Sequence, residues 1–205
     1  MDAMPRPPRP LAPASAQRLL LAAADAFGAK GLDDASLNDI LKRAGMGKGS
    51  FYHRFADKAA LHDWVTETMA GRARTALAAP GLGTLSAASF RQELTAMLAR
   101  FMVLAGEHPE LANLGLMFHN SADAPPERTI ARVRATVLGW IEAALTRGRE
   151  LRVIRDDLPS DLLTQWTVAS LTTIDRWVLA DPDGPSARGA VAATAVDALW
   201  ALLAL

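Results

Sequence analysis

Residues 36–58 read SLNDILKRAGMGKGSFYHRFADK, and the rest of the chain is best understood outward from them. Leu37, Ile40, Leu41 and Ala44 recur at spacings of three and four, the period of one face of a short helix. Ser36 stands just before that face, where a hydroxyl can accept from an otherwise orphan N–H. Asp39, three residues later, makes a weaker version of a capping box. Gly45 interrupts the pattern, and glycine suits a tight turn because it accepts positive φ without steric cost. Met46 is the apolar residue of that turn and is placed to plug the junction. A second short helix is predicted over 48–54, with Phe51 and Phe55 packed inward beside Leu37, Ile40 and Leu41. Two short helices joined in this way have helix-turn-helix spacing, which leaves the second helix free to enter a major groove.

The outer side of that second helix carries suitable chemistry. Lys48 is long and cationic and reaches a phosphate or a guanine edge. Ser50 can hydrogen-bond a base or a phosphate, and Tyr52 and His53 offer O–H and N–H donors to the backbone. Gly47 and Gly49 have no side chain, so the start of the helix can approach DNA closely. Asp57 is a plausible N-cap for a longer helix over 58–78, and Lys58 opens that helix, where dipole and ammonium both favour a phosphate. Charge alone is a weaker guide. Lys42, Arg43, Lys48, Arg54 and Lys58 stand against Asp57, a local +4 in a chain of formal net charge +0. A solvated helix face would account for that excess, and only the turn and the inward phenylalanines make it specific.

Prolines organise the remainder, because proline is accepted in the first turn of a helix and not in its interior. After Pro13 there is none until Pro80, followed by Pro109, Pro125, Pro126, Pro159, Pro182 and Pro185. The first helix is predicted over 16–30, with Leu20, Ala23, Ala24 and Phe27 on one stripe and Gly31 as its stop. Further helices are predicted over 86–107, 109–120, 126–149, 160–180 and 185–203. No run combines strict alternation with β-branched enrichment, and Val153-Ile154 is read as part of a loop. The expected class is all-α with about nine helices. Residues 1–14 hold five prolines and form a proline-rich arm, expected to be disordered or extended. Residues 15–70 form a three-helix DNA-binding domain, and 71–205 form a larger helical bundle. The boundary falls near 68–74, within one helix.

Other classes find little support. The chain has no cysteine, which excludes disulfides and thiolate metal sites and suits a reducing cytoplasm. No apolar run reaches the roughly 18 residues of a membrane span, and the start of the chain does not read as a secretory signal. His53, His62, His108 and His119 have no metal-ligand spacing with acids, and no nucleophile elbow or phosphate-binding glycine loop occurs. No catalytic residue, metal or cofactor is expected.

Residues 18–65 resemble the DNA-binding domain of the tetracycline-repressor (TetR) family. The resemblance rests on Ala26-Phe27-Gly28-Ala29-Lys30-Gly31, Ser36-Leu37-Asn38-Asp39-Ile40, Arg43-Ala44-Gly45, the run from Lys48 through Gly49, Ser50, Phe51, Tyr52, His53 and Arg54 to Phe55, and Lys58 before Ala60-Leu61. It departs at Met46-Gly47, where a hydroxyl cap is usual, and at Ala56, where proline is common. The resemblance implies phosphate contacts from Ser36, Tyr52, His53 and Lys58, with Lys48 and Ser50 reading bases and Gly49 in close approach. It implies that the last two helices form a four-helix bundle with those of a second copy. Leu162, Trp166, Ala169, Thr173, Trp177, Val191, Ala195, Ala198, Leu199 and Leu202 are the candidates there. It also implies a small-molecule pocket among the central helices, with Phe101, Met102, Met117, Phe118, Trp140 and Trp166 as lining and His119 or Asp175 as a polar handle. The expected protein is a cytoplasmic, homodimeric regulator on palindromic double-stranded DNA. It is released by a neutral or apolar effector, or else is a ligand-independent regulator or an activator.

Overall fold

The computed structural model describes residues 11–179 and 184–205. Every regular element among them is helical. In chain order these are α1 (Pro13–Asp34), α2 (Leu37–Ala44), α3 (Lys48–Tyr52), α4 (Lys58–Leu77), α5 (Phe90–Glu107), α6 (Pro109–His119), α7 (Thr129–Glu150), α8 (Ser160–Leu179) and α9 (Gly184–Leu203). The all-α class and the helix-turn-helix layout expected from the sequence are therefore present.

The boundaries follow local chemistry. Pro13 opens α1 in its first turn, so the expected arm is shorter by Pro13 and Ala14, and residues 1–10 lie outside the described residues. Gly31 has φ 73° and breaks the helical path of α1, which resumes briefly to Asp34. Ser36 Oγ accepts from Asp39 N at 3.3 Å and caps α2. Gly45 closes α2 with φ 64°, while Met46 N donates to Leu41 O at 2.9 Å and Gly45 N to Lys42 O at 3.2 Å. That pair of bonds satisfies the last carbonyls of α2 and turns the chain into α3. Asp57 Oδ1 accepts from Ala60 N at 2.7 Å and caps α4. The helix expected over 86–107 begins later, at Phe90. A short 3₁₀ turn, Leu82–Thr84, and reciprocal Ser86–Ser89 hydrogen bonds occupy the preceding segment.

Among the described residues, two hydrophobic cores hold the fold. The first joins Leu19, Leu20, Ala23 and Phe27 of α1, Ile40 and Leu41 of α2, Phe51 of α3, and Leu61, Val65 and Met69 of α4. It also takes Met117 from α6 and Ile130 from α7. The second joins Phe90 and Leu94, Ala144 and Leu145, Ile154, Leu163, and Leu199, Trp200 and Leu203. Because Met117 of α6 and Ile130 of α7 enter the first core, the helix-turn-helix half is closed by residues of the other half. α4 packs against α1 on one side and against α5, α6 and α7 on the other.

Backbone approach is tightest at Gly148 of α7. A Cβ there would lie 2.3 Å from Ile154 Cγ1 and 2.9 Å from Phe90 Cζ. Gly148→Ala should cost about 1–3 kcal/mol through overpacking. Gly139, on the same helix with nothing near its absent Cβ, should gain about 0.8–1 kcal/mol as alanine from helix propensity. Urea denaturation of the two variants should show shifts of opposite sign. Equal shifts would refute the packing account of Gly148.

Candidate nucleic-acid interface

The helix-turn-helix presents one face of α3 to solvent because the opposite face is anchored. Phe51 is fully buried and stacks on Phe55, with ring centroids 5.4 Å apart. Phe55 in turn packs beside Trp64 of α4 at 5.6 Å. With Phe51 inward, Lys48, Gly49, Ser50, Tyr52 and His53 are all exposed. Tyr52 is 57% exposed, its ring edge-on to Phe51 at 5.0 Å. No hydrogen bond or ion pair among the described residues holds Lys48, Ser50 or the side chains of Tyr52 and His53. The Lys48 ammonium, the Ser50 and Tyr52 hydroxyls and the His53 ring therefore keep their donors and acceptors open to solvent on one face.

Other basic residues of the cluster are already engaged. Arg43 pairs with Asp25 of α1 at 2.6 Å. Lys58 Nζ donates to Asp33 O at 2.8 Å and Ala35 O at 3.0 Å, stitching the start of α4 to the segment between α1 and α2. An ammonium has three N–H groups, so one is left unused by these two carbonyls. Ser36 is half-buried, and its Oγ accepts the capping bond of α2 while its O–H stays free to donate.

The residues named for an effector pocket do not gather in one place. Met117 is in the first core at 1% exposure, and Trp140 packs against the second. Phe101 and Met102 are half-buried on α5, and Trp166 stands 41% exposed on α8. Phe118, His119 and Asp175 do meet. His119 Nε2 lies 3.3 Å from Asp175 Oδ2, and the Arg134 guanidinium lies 4.9 Å over the Phe118 ring. An open groove of about 530 Å³ lies between α7 and α8, lined by Ala135, Leu138, Gly139, Glu142, Thr164, Gln165, Val168 and Ala169.

The residues named for self-association lie mostly at the surface. Trp166, Ala169, Thr173 and Trp177 form an exposed stripe along α8 at spacings of three and four. Val191, Ala198 and Leu202 are exposed on α9, Leu162 and Ala195 are half-buried, and Leu199 belongs to the second core. Trp166 therefore suits the outer stripe better than the interior lining.

Sequence reading missed the joint between the two halves. Asn120 Nδ2, at the end of α6, donates to Gly28 O of α1 at 2.9 Å. A Cβ on Gly28 would meet Asn113 Oδ1 at 3.0 Å, so α1 and α6 nearly touch there. Arg134 of α7 and Arg176 of α8 donate to the Phe118 and His119 carbonyls. Arg128 donates to Ala59 O and Thr129 N to Asp63 Oδ1, tying the start of α7 to α4. His62, 2% exposed and edge-on to Phe27, is lowered to about 4, chiefly by burial and then by Arg128, against the opposing charge of Asp63. These partners are distant in sequence and follow no spacing rule, so no local signal announces them.

Comparison with known proteins agrees with this geometry. Residues 19–63 match the family described as bacterial regulatory proteins, tetR family. An uncharacterized HTH-type transcriptional regulator, YvdT of Bacillus subtilis, is 42% identical over 53 residues, covering 26% of this chain and 27% of that protein. The match thus spans about a quarter of the relative. The fold as a whole is shared with the ketosteroid transcriptional regulator KstR2 of Mycobacterium tuberculosis at TM-score 0.70 and 19% identity, covering 97% of this chain and 98% of that one. It is shared also with a TetR family transcriptional regulator from Chloroflexus aurantiacus at TM-score 0.67 and 21% identity, covering 94% and 92%. The transcriptional regulator FadR of Bacillus subtilis, solved with stearoyl-CoA, aligns at TM-score 0.63 and 17% identity, covering 92% and 97%.

Proposed function

We propose that the chain is a member of the tetR family of bacterial regulatory proteins, whose description matches residues 19–63, and that it is a ligand-responsive transcriptional repressor in the cytoplasm. It binds a palindromic operator as a homodimer and releases it when a small neutral or apolar molecule binds. The observation that carries the reading is the unpartnered, exposed face of α3 on a fully packed helix-turn-helix. Lys48 and Ser50 read base edges, and Tyr52, His53, Ser36 and the remaining N–H of Lys58 hold phosphates. The α8 stripe and the exposed residues of α9 support self-association, because one such module makes few contacts and two must act together.

Release requires the effector to favour one setting of the joint between the halves. α4 spans both halves, and α6 reaches α1 directly through Asn120 and Gly28. A shift of α6 would therefore move α1 as well as α4 and alter the separation of the two reading helices. Coupling of about 1–3 kcal/mol would weaken operator binding roughly 5- to 150-fold. KstR2 and FadR are named for ketosteroid and bound to an acyl-CoA respectively, which supports an effector with a large apolar part.

The test is a gel shift on DNA selected from a random pool by the full-length chain. Lys48→Ala should lose about 1–3 kcal/mol of specific binding and relax sequence preference, with unchanged thermal stability. Complexes should contain two chains per site. A Lys48→Ala protein with full affinity and full preference would sink the assignment of α3 as the reader.

A further inference from the structure

The open groove of about 530 Å³ between α7 and α8 falls within the roughly 300–1,000 Å³ of small-molecule sites. Leu138 and Gly139 of α7 and Val168 and Ala169 of α8 give it an apolar middle. A Cβ on Gly139 would meet nothing within 4 Å, so the groove opens directly over the α7 backbone. One turn nearer the loop that joins the two helices, the lining becomes polar: Glu142 on α7, Thr164 and Gln165 on α8. Thr164 Oγ1 donates to Ser160 O at 2.9 Å, so it offers the groove only lone pairs. Glu142 is the one charged side chain of the lining among the described residues, and a carboxylate only accepts. Among the described residues no hydrogen bond or ion pair engages Glu142 or the Gln165 amide. Two of the three polar side chains at that end are therefore acceptors that lack a donor.

We infer that this groove binds an apolar molecule ending in a hydrogen-bond donor, an alcohol or an amine. The apolar body lies along Leu138, Gly139, Val168 and Ala169, and the head meets Glu142 and Thr164. This rests on the reading of the chain as a ligand-responsive regulator and gives its effector a head-group chemistry. A carboxylate or phosphate head is disfavoured there, because it would face Glu142 as a like charge and leave both acceptors unserved. A second copy seated on the tryptophan stripe of α8 leaves the groove uncovered. At about 100° per residue, Trp166 and Trp177 stand roughly 160° and 180° around the helix from Val168. The groove also lies where it bears on the joint between the halves. Asp175, two turns beyond Val168 on the same face of α8, lies 3.3 Å from His119, and Arg134, next to Ala135 of the lining, donates to Phe118 O at 3.3 Å. A ligand between α7 and α8 thus acts on the two helices that hold the end of α6, which Asn120 ties to α1.

The experiment titrates the full chain by calorimetry with octan-1-ol, octylamine, octanoate and methyl heptyl ether, an isomer of octanol without the O–H. Each titration is repeated with Glu142→Gln and Gly139→Leu. The four probes have apolar bodies of similar length, so differences among them read the head group. The alcohol and the amine should each bind the parent about fivefold more tightly than the ether or octanoate. Glu142→Gln should erase most of the ratio between octylamine and octanoate. Gly139→Leu fills the groove where the backbone is open and should abolish binding of alcohol and amine, while melting no lower than the parent. Equal binding of all four probes by the parent, or none, overturns the inference. An octanol affinity that Gly139→Leu leaves unchanged also overturns it, since the molecule then sits elsewhere. Should Gly139→Leu fail to fold, an octylamine-to-octanoate ratio unmoved by Glu142→Gln does the same. A gel shift on the selected DNA with and without octanol and octylamine separates the two readings. Release of DNA by the parent but not by Gly139→Leu supports both. Binding in the groove with the DNA complex intact upholds the site and refutes ligand-triggered release through it.

Discussion

Phe51→Ala is expected to remove about 3–5 kcal/mol of stability, the cost of emptying a fully buried aromatic site, and with it all sequence-specific DNA binding. Phe51 is fully buried and is the buried anchor of a helix of only five residues. A helix that short has no independent stability; it exists because Phe51 inserts among α1, α2 and α4 and because Phe55 and Tyr52 lean on its ring. Losing the ring removes the reason for Lys48, Ser50 and Tyr52 to stand in a fixed geometry. Phe51→Leu retains most of the apolar area and should keep measurable operator affinity. Urea denaturation and gel shift on the same preparations decide the matter. If Phe51→Ala bound its operator as tightly as the parent, α3 would not depend on this anchor, and the account of how the face is held would be wrong.

The second large effect is acid lability centred on His62. Its folded value is lowered from 6.5 to about 4, first by burial and then by Arg128. Between those values the unfolded chain binds a proton that the folded chain does not, so stability rises with pH across the interval and is lost as pH falls. The neutral form is fully favoured above pH 6.5. About 2 kcal/mol should be gone by pH 5 and about 3 kcal/mol by pH 4 from this group alone. His62 Nδ1 has no hydrogen-bond partner among the described residues, nor has Thr66 Oγ1 one turn further along α4. His62→Leu should therefore be near neutral at pH 7.5, because an unsatisfied polar atom is removed with its ring, and clearly more stable than the parent at pH 5. The check is the pH dependence of the urea midpoint in the two proteins. Parallel curves from pH 7.5 to 5 would show that His62 does not carry the linkage. Asp63, next to His62, joins α4 to the start of α7 through Arg128 and Thr129, so charging His62 is expected to weaken that contact.

Much of the DNA-facing half was legible because its determinants are local. Ser36 caps α2 through Asp39 N, Gly45 adopts the left-handed conformation that the turn needs, and Asp57 caps α4 through Ala60 N, all within a few residues of one another. The three- and four-residue spacing of Leu37, Ile40, Leu41 and Ala44 announced which face would be buried, and Ile40, Leu41 and Ala44 are buried. The bundle was legible only as helices punctuated by proline. Which apolar residues line a space, fill a core or face outward depends on how helices rotate about their axes and against which neighbours. Met117 and Trp166 illustrate this: both are large and apolar on helical faces, yet one closes the core of the other half and the other stands at the surface.

The sequence by itself determined an all-α chain with a helix-turn-helix at 36–55, since capping, turn chemistry and helical period act over spans of three to five residues. The tertiary structure alone decided that Lys58 serves the carbonyls of Asp33 and Ala35, that Asn120 clasps Gly28, and that α6 and α7 complete the core beneath α3. Those contacts join residues as much as 92 positions apart. They are chosen by packing complementarity among preformed helices, which no local pattern encodes.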